Sequence, residues 1–77
     1  MPTLLIERGF KFFFYANEHA PRHVHVMKGA KHARINLETL QFISCTLGPV
    51  EKRDALGIAR REAANFIRAW DAFFANR

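Results

Sequence analysis

Glu18-His19-Ala20-Pro21-Arg22-His23-Val24-His25-Val26 is the stretch of this chain whose residue types can do chemistry. Three of the four histidines fall within these nine residues, and two of them alternate with valine. A strand repeats every two residues, so His23 and His25 share one face while Val24 and Val26 share the other. Side-chain origins at alternate strand positions stand ~7 Å apart, within reach of one metal ion, one phosphate or one substrate group. An unperturbed imidazole titrates at about pH 6.5, so either ring can donate or accept a proton under cellular conditions.

Acid–base chemistry on RNA would use the pair without a metal. One histidine removes the ribose 2′-hydroxyl proton, and another group protonates the leaving oxygen. In that reading His23 and His25 are catalytic and no cofactor is needed. Arg34, Arg22 or Lys11 stabilises charge on the phosphate, and Tyr15 or Phe13 stacks on a base. The alternative is a divalent metal such as zinc, held by His23 and His25 with a third ligand from His19, Glu18 or His32. A third reading is structural: both rings are surface strand residues hydrogen-bonded to Glu18 or Asn36, with no chemistry. The His-x-His spacing alone does not choose among the three.

The bulk properties bound these readings. Seventy-seven residues, 49% of them apolar and eight of them phenylalanine, suffice for one small domain spanning 1–77 with one modest core. So short a chain is expected to gain stability from a partner or a second copy of itself. Twelve Lys and Arg against seven Asp and Glu give a net charge of +5, which suits nucleic acid, an anionic surface or an acidic protein. Cys45 is the single cysteine, which excludes an intramolecular disulfide and a multi-cysteine zinc site; it reads as a small apolar filler. Glycines are too sparse for a loop that cradles phosphates. No basic segment followed by a long apolar stretch opens the sequence, and no stretch approaches the ~18 apolar residues of a membrane span, so a cytoplasmic protein is expected.

The elements that must position the histidines are legible in outline. Thr3 to Arg8 reads as a strand with Leu4 and Ile6 on its inner face, and Gly9 as a turn. Phe10 to Asn17 reads as a second strand, hairpin-paired with the first, with Phe10, Phe12 and Phe14 inward. Asn17 to Arg22, with Pro21, is a connection, and the histidine strand follows from His23 to Met27. After the turn signal Lys28-Gly29-Ala30, the stretch from Lys31 alternates with Ala33, Ile35 and Leu37 inward, and a further strand covers Leu40 to Leu47. Beyond Gly48-Pro49 the period changes to threes and fours: Leu56, Ala59, Ala63, Phe66, Ile67, Trp70, Phe73 and Phe74 make a helical stripe. Gly57 leaves open a break into two helices. The expected fold is α+β: an antiparallel sheet of four or five strands with one long or broken C-terminal helix on one face. The other face would carry Lys11, Tyr15, His23, His25, His32 and Arg34.

These features resemble a family of small bacterial proteins of unknown function. The residues that carry the likeness are Met1-Pro2-Thr3, the aromatic run Phe12-Phe13-Phe14-Tyr15, Glu18-His19, Pro21, His23-Val24-His25-Val26 and Trp70. Where such proteins usually have a second proline, this chain has Arg22. The resemblance implies a compact α+β domain encoded beside another small protein, in pairs like those of toxin–antitoxin systems. The expected function is therefore a toxin-type component of such a pair, acting on RNA or the translation apparatus through the paired histidines, with the neighbouring gene product as its partner. The alternatives are a non-catalytic basic module, for which Arg60 and Arg61 would matter, and a histidine-based metal-binding domain.

Overall fold

A computed structural model describes residues 3–75, so Met1 and Pro2 of the opening motif lie outside the described residues. Five antiparallel strands form one sheet in sequence order: β1 (Thr3–Glu7), β2 (Phe10–Phe13), β3 (His23–Lys28), β4 (Lys31–Asn36) and β5 (Gln41–Cys45). One helix, α1 (Pro49–Phe74), follows and covers one face. This is the α+β arrangement that the change of period at Gly48-Pro49 announces.

The β1–β2 hairpin turns at Arg8 and Gly9, both at positive φ (54° and 80°). Two such residues give the turn whose twist matches the flanking strands. The register then slips within β1: Thr3 lies opposite Phe13, but Leu5 lies opposite Phe12. Leu4 packs against the core as expected, but the extra residue reverses which side chains point inward beyond it. Leu5 joins the helix-side row, and Ile6, expected in the core, stands opposite Lys11 and is 68% exposed. A second irregularity between Arg34 and Ile35 leaves Ile43 as the extra residue of β5.

Two strands are shorter than their composition suggests. β2 stops at Phe13 because the chain leaves the sheet to build the 14–22 loop, and Phe14 is buried there against Trp70 and Phe74. β5 begins at Gln41, since Leu40 adopts a left-handed backbone (φ 57°) and its N–H donates to the Asn36 carbonyl at 2.8 Å. Pro49 opens α1, where its missing N–H is not needed. The Glu51 carboxylate accepts from the Gly48 N–H at 3.1 Å and from Lys31 Nζ at 2.8 Å, which satisfies one end group and ties the helix start to β4. The helix runs through Gly57 without a break.

The core lies between the sheet and α1. Phe12, Val26 and Ala33 form one row across the strands, and Val24 and Ile35 form the next. Ala55, Ile58, Ala59, Phe66 and Trp70 close over them, with Phe12 and Phe66 rings 5.5 Å apart. The buried stripe is thus rotated slightly from the expected one: Ala55 and Ile58 enter it, and Phe73 turns outward, 39% exposed. The register sets the opposite face as well. Phe13, His25, Arg34 and Ser44 form one cross-strand row, Lys11, Met27 and His32 the second, and His23, Asn36 and Gln41 the third. Among the described residues, no helix is long and apolar enough to cross a membrane.

Candidate functional site

The face away from the helix is not left open. Residues 15–22 fold over it, and both imidazoles of β3 are only 5% exposed. This corrects the expectation of an uncovered histidine face; the rings do share one side, but a loop closes over them. Two ties fix the loop. The Tyr15 N–H donates to Glu18 Oε2 at 3.2 Å, which draws the carboxylate inward. At the far end the Arg22 guanidinium donates to both Asp71 oxygens (2.9 and 3.3 Å), with Glu38 3.6 Å away, while the Leu37 N–H donates to the Arg22 carbonyl at 2.9 Å. The Ala20–Pro21 peptide between them is cis.

Glu18, His23 and His25 form a compact cluster under this loop. One potential ligand atom from each lies within 4.8 Å of the others. Glu18 Oε1 is 3.1 Å from His23 Nε2, and Glu18 Oε2 is 2.7 Å from His25 Nε2. The outer ring nitrogens are also engaged. His23 Nδ1 lies 2.8 Å from the Pro21 carbonyl, and His25 Nδ1 lies 3.1 Å from His32 Nε2. Aromatic rings hold both imidazoles from the sides: Trp70 5.2 Å from His23, Phe13 stacked 5.4 Å from His25, and Tyr15 edge-on to His25 at 4.6 Å.

Proton placement at this cluster is constrained by its partners. A carbonyl only accepts, so the proton of a neutral His23 sits on Nδ1 and its Nε2 lone pair faces the Glu18 carboxylate. Lone pair against carboxylate is repulsive, and a positive species between them relieves it: a second proton on His23, or a metal cation. His25 presents a different geometry. Its Nε2 is buried and makes no hydrogen bond, although Glu18 Oε2 is 2.7 Å away, because that oxygen lies off the direction an N–H would take. Two tetrahedral ligands of one zinc-class ion stand ~3.3 Å apart, so Glu18 Oε2 and His25 Nε2, at 2.7 Å, would have to separate by a few tenths of an ångström to share one. In the tautomer where His25 Nδ1–H donates to His32, its Nε2 lone pair is free for that role.

The electrostatics agree with a neutral His25 beside an ionised Glu18. Burial pushes the His25 pKa down, more strongly than the Glu18 charge pulls it up. Burial pushes the Glu18 carboxyl up, but the Tyr15 N–H and the two imidazoles together outweigh it and hold the group below the ordinary carboxylate range. An ionised carboxylate and a neutral imidazole are the states in which these groups ligate a divalent cation.

A cavity of about 370 Å³ opens beside the cluster, with Glu18 and His23 in its wall. Arg34 and Asn36 of β4 and the exposed His19 complete much of its polar lining. Of the residues expected to bind, Arg34 reaches this cavity and Tyr15 lies against His25. Arg22 is tied to Asp71 and Glu38, and Lys11 Nζ sits 5.6 Å from the Phe13 ring centre; neither lines the cavity. The alternative ligand set of His19, His23 and His25 is brought together only in part, since Glu18 takes the position beside the two strand histidines. Asn36, expected as a hydrogen-bond partner of the histidines, instead lines the cavity, a place that follows from its pairing opposite His23.

A family model described as a domain of unknown function, DUF4160, matches residues 9–71. The chain belongs to the DUF4160 family. The match spans the loop, the histidine strand and the helix through Asp71, so all the residues of the cluster lie inside the DUF4160 region. Comparison with curated proteins gave no match, and comparison with solved structures gave none.

Proposed function

We propose that this DUF4160 chain is a metal-binding protein, holding one zinc-class divalent cation on His23 Nε2, His25 Nε2 and the Glu18 carboxylate. The observation that carries this reading is the pair of outer hydrogen bonds. Pro21 and His32 engage both Nδ1 atoms, which turns two Nε2 atoms toward one carboxylate in a buried site. An outer partner that fixes the tautomer of a ligating histidine is a regular feature of metal sites. Two imidazoles and a carboxylate suit zinc and ferrous iron better than calcium or magnesium. Three protein ligands leave a coordination position for a small molecule, and an ion so held supplies Lewis acidity. The test is elemental analysis of the purified protein, followed by cobalt(II) titration of the metal-free chain. One equivalent of metal and visible cobalt absorption, both lost in Glu18→Ala and His23→Ala, are expected. Less than a tenth of an equivalent and no cobalt spectrum in the wild type would overturn the reading.

A second reading is favoured by the chain of contacts from His32 through His25 to Glu18. Without a cation, this line can pass a proton. The protein is then the toxin-type component of a two-protein pair, cleaving RNA with His23 and His25 as the acid–base groups. Growth arrest on expression, abolished in the His23→Ala/His25→Ala double variant, and RNA cleavage that persists in chelator would support it. Cleavage lost in chelator and restored by zinc would assign the chemistry to the metal.

A further inference from the structure

The wall of the cavity has more hydrogen-bond donors than the metal site uses. Arg34 leaves β4 directly opposite His25, and its Nε donates to Ser44 Oγ at 3.3 Å. Among the described residues Arg34 has no carboxylate partner, whereas Arg22, Lys31, Arg53 and Arg61 each have one. Asn36 Oδ1 accepts from the Glu38 and Thr39 N–H groups (2.7 and 3.1 Å), which orients its amide so that Nδ2 remains as a donor. Among the described residues Glu18 is the only carboxylate in the wall, and both of its oxygens are turned to the imidazoles.

The charge here is specific in amount. A divalent ion on Glu18 leaves one net positive charge, and Arg34 adds a second at the same cavity. Two positive charges with directional donors match a phosphoryl group better than a carboxylate, which carries a single negative charge and two oxygens. The cavity, at about 370 Å³, is also much larger than the ~30 Å³ that one water occupies, and Ile43 and Pro21 give it an apolar side. That combination leaves room for an organic group beyond the phosphate.

We propose that this cavity binds the phosphoryl group of a phosphate ester, with one oxygen toward the metal and others on the Arg34 guanidinium and Asn36 Nδ2. The proposal rests on the metal reading, and Arg34 is its specificity-determining residue. The same phosphoryl chemistry is found in a nucleoside monophosphate and in the phosphodiester backbone of RNA, and separate arms distinguish the two sources.

The experiment begins with zinc titration of the metal-free protein, which tests the metal reading alone. Calorimetric titration of the zinc-loaded protein then uses three probes: inorganic phosphate, adenosine 5′-monophosphate, and an oligoribonucleotide with unphosphorylated ends. Saturable binding of at least one probe is expected at one site per chain. It should be weakened at least tenfold in Arg34→Met and partly restored in Arg34→Lys, with zinc affinity in both variants within about twofold of wild type. Binding of the monophosphate but not the oligonucleotide supports the proposal with a monoester as source; binding of the oligonucleotide supports it with RNA as source. Normal zinc binding with no probe bound, or with equal binding by Arg34→Met, would overturn this proposal while leaving the metal reading intact. Failure to bind zinc would overturn both. The metal-free melting curve of each variant reports whether it folds, and Asn36→Asp, which removes a donor and adds a negative charge, gives an independent loss if Arg34→Met unfolds.

Discussion

Replacing His32 by alanine should weaken metal binding although His32 supplies no ligand. Its Nε2 lies 3.1 Å from His25 Nδ1 and is the partner that directs the His25 lone pair into the cluster. Loss of such an outer partner costs about 10–100-fold in metal affinity. That factor corresponds to roughly 1.4–2.7 kcal/mol. With metal in excess over both dissociation constants, ligand-induced stabilisation falls by the same amount. For a domain of this size 1 kcal/mol moves Tm by about 4–8 °C, so the zinc-induced rise in Tm should be roughly 6–20 °C smaller in the variant. The assay is calorimetric melting of metal-free and zinc-saturated protein, for wild type and His32→Ala. Taking the difference within each protein cancels any change in metal-free stability caused by losing a half-buried ring. Equal zinc-induced shifts in the two proteins would refute the argument that His32 orients a ligand.

Three further outcomes follow from the fold. Phe12 is fully buried between Val26 and Phe66, so Phe12→Ala should cost about 3–5 kcal/mol, a large part of the stability of so small a chain, as measured by urea denaturation. Gly57 lies mid-helix with open space where a Cβ would stand, so Gly57→Ala should stabilise by about 1 kcal/mol; a lower Tm would contradict the unbroken helix. Glu51 is held below the ordinary carboxylate range first by the Lys31 ammonium and then by the Gly48 N–H. A depressed folded-state pKa adds stability that is full above the unfolded value and is lost as pH falls through the folded one. Glu51→Gln should therefore reduce the acid sensitivity of Tm below about pH 4.3, where the unfolded carboxylate titrates, and lower Tm at neutral pH.

The fold was legible where side-chain period alone decides it. His23-Val24-His25-Val26 and Ala33-Arg34-Ile35 alternate cleanly, and their register puts the valines, Ala33 and Ile35 under the helix. Gly48-Pro49 marks the change to a helix for the same reason. Facing held at Leu4, which packs against the core, and failed at Ile6, because a one-residue slip in register is set by cross-strand fit and Thr3-Leu4-Leu5-Ile6 is apolar enough to tolerate either choice. It also failed at Phe73, where Phe73 and Phe74 are both three or four residues beyond Trp70. Phe74 lies 4.4 Å from Trp70 and also contacts Phe14, a residue outside the helix whose position no helical period contains.

At the site, the spacing of the histidines was enough to put two rings on one face, but their environment was decided by a loop. Nothing in the period of residues 15–22 requires that they lie across the sheet. Their position follows from long-range ties, chiefly Arg22 to Asp71, 49 residues away, and Leu37 to Arg22. Closing that loop changes the chemistry available. Open to water, two imidazoles at alternate strand positions would be a general acid–base pair. Enclosed with a carboxylate at 2.7 and 3.1 Å, they become a polar network that must be fully satisfied inside a small core. His25 Nε2 is the atom at which that network remains incomplete, with the Glu18 carboxylate 2.7 Å away but poorly aligned for a hydrogen bond. A cation on the Nε2 lone pair satisfies the nitrogen, neutralises Glu18 and relieves its repulsion with His23 together, whereas a proton on either ring addresses only part of the set. The same buried geometry that weakens the case for a solvent-open acid–base pair is therefore the strongest physical reason to expect a metal.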